Sequence, residues 1–132
     1  MLRTICAVVA GAFAASFTDW AFMGALWHEH YLEFPEVWRR QAGDKAGENK
    51  AVLWACLLNV LCAATVVSLC AHFMLSGVST VKLAVALWVA GPLPLLLGNH
   101  LFIKLHPKIT AAHCLGWLAK FLVCAAAAAL LI

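Results

Sequence analysis

Four long apolar stretches, almost free of charge, fill most of this 132-residue chain. They cover about residues 3–27, 51–75, 80–102 and 110–132. A helix needs roughly 20 apolar residues to cross a hydrocarbon core, and each stretch meets that length. In lipid a spanning segment must satisfy its own backbone polar groups, so only helices and closed barrels are available. No stretch alternates with period two, which excludes a barrel. The sequence therefore predicts an all-α polytopic membrane protein. Its single domain, residues 1–132, would hold four transmembrane helices in an up-down bundle.

Composition supports this class. The chain is 65% hydrophobic and 11% charged, and the charges crowd between the apolar stretches. A soluble domain would spread charge over every helix face. For the first stretch a cleaved signal peptide competes: Arg3 gives a basic start, and Ala12-Phe13-Ala14 a small-x-small site. Apolar character continues through Met23, Ala25 and Leu26 to Trp27, however, which suits a span better than a signal.

Basic residues set the expected orientation. With four spans, Arg3 and Lys82 share one side, and Arg39, Arg40, Lys45, Lys50, Lys104 and Lys108 share the other. Lys and Arg concentrate on the cytoplasmic side, so both termini are predicted outside, with loops 28–50 and 103–109 in the cytoplasm. The long loop has two parts. Pro35 can open a short helix that lays Val37 and Trp38 in the interface, with Arg39 and Arg40 toward anionic headgroups. Residues 41–49 are rich in glycine and charge and read as a turn.

Within the spans, Gly91-Pro92-Leu93-Pro94 predicts a kink in the third, because proline removes backbone donors and crowds the preceding turn. Gly11, Ala15, Gly24 and the run of alanines at 125–129 predict close helix contacts. The six cysteines all lie in apolar stretches and read as small packing residues. A bridge is conceivable only for Cys6 and Cys70, near the outer ends of their spans.

Chemistry would have to come from the few polar residues inside the spans. Asp19 and Lys120 lie at similar depth from the loop side, roughly 12–15 Å in at 1.5 Å per residue. A lone charge at that depth costs at least ~2.5 kcal/mol, so the two are expected to form an intramembrane ion pair. The plainer alternative has Lys120 snorkelling and Asp19 bonding a hydroxyl such as Ser16. Asn59, Asn99, His100 and His113 fall on the same half and would line a polar cavity open to the cytoplasm. His28, His30, His100 and His113 are candidate metal ligands, since imidazole binds zinc, copper, nickel and iron. Their spacing matches no H-E-x-x-H motif, di-iron repeat or zinc finger. The sequence leaves the cofactor unknown.

Gly24-Ala25-Leu26-Trp27, Trp38 and Gly43, then Gly98-Asn99-His100-Leu101-Phe102 and Lys108-Ile109-Thr110 before an apolar last helix, resemble the DUF1761 family of small bacterial four-helix membrane proteins. His28-Glu29-His30 and His113 depart from the family pattern. The resemblance implies the same architecture in a bacterial inner (plasma) membrane. The family is of uncharacterised function, so no catalytic residue follows from it.

Two function classes remain. One is a non-enzymatic helix-packing or partner-binding module. Its expected partners are membrane lipid, another copy of the chain or a different membrane protein, and not nucleic acid. The other binds or moves a small ligand, proton or metal ion through the cytoplasmic-side cavity. An enzyme ranks below both, because no nucleophile, base and orienting group occur at a telling spacing.

Overall fold

A computed structural model describes residues 1–27, 45–103 and 105–132. Among the described residues four helices are long and apolar enough to cross a membrane: Leu2–Leu26, Asn49–His72, Val78–Phe102 and Pro107–Leu131. They form an all-α bundle, as the apolar stretches require. The first span is α1 (Leu2–Asp19) continued by a π-helix over Trp20–Leu26. The second is α2 (Lys45–His72). The third is split into α3 (Val78–Ala90) and α4 (Pro92–Phe102), and the fourth is α5 (Pro107–Leu131).

The helix α2 begins earlier than the expected turn over residues 41–49 allows. Lys45, Asn49 and Lys50 are polar enough to carry the helix beyond the hydrocarbon into water. The expected interfacial helix around Trp38 lies outside the described residues. So do His28 and His30.

The break in the third span is where the prolines put it. Gly91 has left helical geometry (φ −118°, ψ −90°), and Pro92 opens α4 at a position where its missing N–H costs nothing. The amide of Gly91 still reaches the Leu87 carbonyl at 3.0 Å, so α3 passes into α4 without a loop and the two make one span.

α5 is the hub. It packs against the first, second and third spans, while the first packs on the second and fourth. The second and third spans are joined by a short turn, yet they meet only slightly and diverge. The third span consequently sits at the periphery, with 6% of its most apolar stretch buried against 39% for the fourth. One strap across this seam is Trp88, whose Nε1 donates to the Cys114 carbonyl at 2.9 Å.

The core is built from small side chains: Ala7, Ala12, Ala15, Ala63, Ala84, Cys124, Ala125 and Ala128, with Val66, Val67 and Cys70 as the larger fillers. Lipid tails are as apolar as leucine, so burial alone drives little association. Close van der Waals packing does that work, and small residues permit it. Gly11 stands where the first, second and fourth spans meet. A Cβ added there would lie 3.4 Å from Ala63 Cβ and 3.5 Å from Cys124 Cα. Gly24, by contrast, faces its own Trp20 and not a neighbouring helix. Cys6 and Cys70 are both free thiols, and no bridge joins them.

The turn after α2 closes with two bonds, Leu75 N–H to the Cys70 carbonyl at 2.9 Å and Met74 N–H to Ala71 at 3.2 Å. That is a Schellman motif, which wants a left-handed residue at Met74. Met74 has φ 50° and is 89% exposed, so its side chain gains no packing in return. A left-handed L-residue costs roughly 1–2 kcal/mol, partly offset by the unfolded-state entropy of glycine. Met74→Gly is therefore expected to stabilise the protein by about 0.5–1 kcal/mol. Denaturant unfolding in micelles reads this directly, and a destabilised variant would count against the turn geometry.

Candidate functional site

Asp19, Asn59 and Lys120 lie on three different spans, roughly 10–20 Å along each helix from its loop-side end. That depth is the middle of the hydrocarbon core. The structure brings them together. Lys120 Nζ lies 2.8 Å from Asp19 Oδ1 and donates to Oδ2 at 3.0 Å. Asn59 Nδ2 donates to the same Oδ2 at 2.8 Å and to Ser16 Oγ at 3.2 Å.

Each helix supplies its member for a local reason. Lys120 sits on the buried face of α5, between Gly116 and Cys124 one turn away on either side. Asp19 is the last residue of α1, where the helix passes into the π-helical segment. In a π-helix each N–H reaches back five residues, as Trp27 does to the Phe22 carbonyl at 3.1 Å. Such segments are rare and occur often at functional sites. The widened turn swings Phe22 and Met23 onto Gly116, whose added Cβ would meet Met23 Cε at 3.6 Å and Phe22 Cβ at 3.7 Å. The missing side chain at Gly116 leaves room for both to pack there.

The electrostatics follow from burial. Lys120 is 6% exposed, and its ammonium also lies 4.2 Å from the centroid of the Trp117 ring. A desolvated cation over an indole face gains about 2 kcal/mol. The Lys120 side chain is thus held by a carboxylate and a π-face rather than snorkelling to the surface. The Asp19 side chain stays 31% exposed, so one side of the carboxylate remains open.

Asp19 also borders a shallow, open groove of about 540 Å³ between the second and fourth spans, whose surface is mostly apolar. Asp19, Asn59, Lys120 and Thr65, whose hydroxyl donates to the Leu61 carbonyl at 2.9 Å, form its polar part. Ala55, Leu58, Leu61 and Cys62 of α2 form one wall, and Trp117 and Phe121 of α5 the other. The groove follows from the divergence of the second and third spans across α5, which among the described residues leaves this face of α5 uncovered.

Asn99 and His100 lie away from this cluster. They belong to α4, which among the described residues packs only on α3 and α5. His100 Nδ1 is 3.0 Å from the Leu105 carbonyl and 3.4 Å from Thr110 Oγ1, which ties the last interhelical turn. His106 caps α5 by accepting from the Lys108 amide at 3.3 Å. His113 is half-buried on the face of α5 that carries Lys120, two turns nearer the loop side. Asn99 and His100 therefore stand apart from Asn59, on the third span at the periphery of the bundle. Among the described residues no three metal-ligating side chains converge. His28 and His30 lie outside the described residues, which leaves His100 and His113 as the placed candidates, on different helices.

Two members of the site were not singled out from the sequence. Trp117 could have been found from its i, i+3 spacing to Lys120, which puts the two on one helix face. The π-helix carries no comparable local signal. No protein-family model, curated protein or solved structure matches the chain.

Proposed function

We propose that this chain is a non-enzymatic binding module of the membrane, and that the groove between its second and fourth spans is where it binds. One observation carries this: a charged, hydrogen-bonded cluster at mid-membrane depth keeps its carboxylate 31% exposed and lines a groove of about 540 Å³ with apolar walls. Intramembrane charges are costly to maintain and by default mark a site. A purely structural pair would be expected to close over completely. The Asp19 carboxylate does not.

A helix-packing partner is the second reading, favoured by the peripheral third span. It places the partner on α3 and α4 and leaves the groove empty. Membership of the DUF1761 family, residence in a bacterial inner membrane and an outside location for both termini belong to the same proposal. Reporter tags at each terminus test the last of these, and a cytoplasmic C-terminus would reverse it.

The groove is tested by filling it. Leu61 is 63% exposed on the groove wall, so Leu61→Trp adds bulk without disturbing the core. Native mass spectrometry of protein gently extracted from its host membrane is expected to show a small molecule bound at one per chain, lost in Leu61→Trp. Bare chain in both, or a second protein subunit retained by both, would favour the packing reading instead.

A further inference from the structure

Resting on that reading, we infer that the groove takes a neutral, membrane-dissolved amphiphile whose hydroxyl head donates to the Asp19–Asn59 cluster, as a long-chain alcohol would. Three features of the site select this class.

The first is the route of entry. The groove lies at the depth of the acyl chains, and its lip carries Leu58 and Leu61, 59% and 63% exposed. In a membrane those residues face lipid. A ligand enters sideways from the hydrocarbon, along walls of Leu58, Leu61, Phe121 and Trp117 that suit an alkyl or isoprenoid tail.

The second is charge. Asp19 and Lys120 already neutralise each other at 2.8 Å. An ionic head would arrive without a counter-ion and would have to be dragged to mid-depth, a costly step that a hydroxyl avoids.

The third is the balance of donors and acceptors. The ammonium has three protons. Two oxygens of Asp19 and the Trp117 ring occupy it. Both hydrogens of the Asn59 amide have oxygen partners in Asp19 and Ser16. What remains is acceptor capacity: the Asn59 carbonyl oxygen, and about one of the roughly four acceptor sites of the Asp19 carboxylate, the others being taken by Lys120 and Asn59. A site with surplus acceptors selects a ligand that donates. A hydroxyl does so, and a ketone, ester or bare hydrocarbon does not.

The test uses the full chain in phosphatidylcholine vesicles containing hexadecanol with a diazirine near its hydroxyl end. After irradiation, adducts are mapped by mass spectrometry. They are expected to concentrate on Leu58, Leu61, Trp117 and Phe121. Excess unlabelled hexadecanol should displace them and hexadecane should not. Leu61→Trp should cut labelling by about tenfold or more, the effect of losing one bulky side chain's worth of space. Asn59→Leu, which removes an acceptor, should weaken competition by about tenfold, the worth of one good hydrogen bond in this setting. Equal labelling by a diazirine hexadecane, or stronger labelling by a hexadecylamine probe, would overturn the hydroxyl class while leaving the groove as a binding site. Labelling spread evenly over the lipid-facing surface and unchanged by Leu61→Trp would remove the binding reading itself.

Discussion

Lys120→Met is expected to cost the folded protein about 3–5 kcal/mol, the range for stripping one partner from a buried ion pair. The loss is not chiefly that of an attraction. It is the cost of leaving Asp19 charged, at mid-membrane depth, with Asn59 as its one remaining side-chain donor among the described residues. Asp19→Asn should cost less than Lys120→Met, because the long lysine stem can carry its ammonium toward water once released. The double variant is the informative one. With both substitutions in place no charge remains to solvate, and the amide oxygen introduced by Asp19→Asn can still accept from Asn59. Replacing a buried pair by neutral groups is often close to neutral in stability. The double variant should therefore lie nearer to wild type than Lys120→Met does, with a coupling of about 2 kcal/mol or more between the two positions. Equilibrium unfolding in micelles supplies the cycle. Two single effects that simply add would mean that the two side chains do not interact.

Gly11→Leu should be nearly as damaging, by about 3 kcal/mol, through packing alone. Gly11 lies against Ala63 of the second span and Cys124 and Ala127 of the fourth, all within 3.6 Å of where its Cβ would sit. A leucine there has to push three helix backbones apart. The same opening would strip contacts from Ala15, Val66 and Cys124, which are fully buried in the same cluster. Gly11→Ala is the control. Its Cβ would make ordinary contacts at 3.4–3.6 Å, and alanine gains up to ~1 kcal/mol of helix propensity over glycine. Alanine is expected to be neutral or stabilising while leucine disrupts. If both were tolerated, the junction of the three spans would be looser than the distances state.

These two variants also mark how far sequence carries. The spans were legible because length and hydropathy alone decide whether a helix can cross a membrane. The depth match of Asp19 and Lys120 was legible because rise per residue is fixed. The break at Gly91-Pro92 followed from proline's missing donor. What pairs with what was less accessible. Every span is apolar all round, so periodicity does not tell the lipid face from the packed face, and nothing announced that the second and third spans would diverge. That divergence set Asn99 and His100 apart from Asn59 and left Asn59 beside the groove. The start of α5 at Pro107, capped by His106, had a readable signal in proline at the first helical position. The π-helix after Asp19 and the left-handed Met74 had none, because both are set by tertiary packing and turn closure rather than by local preference.

The groove and its ligand both depend on the cluster of Asp19, Asn59 and Lys120, and solid-state NMR in lipid bilayers addresses that cluster most directly. With ¹⁵N-lysine and ¹³C-aspartate, a through-space peak should join the Lys120 Nζ to the Asp19 carboxyl carbon, because the ammonium lies 2.8 Å from Oδ1. Lys120→Met should abolish that peak and leave the other lysine signals in place. A bilayer spectrum with well-resolved lysine signals and no such peak would mean that the two charges are apart in the membrane, and the site built on them would fall with the pair.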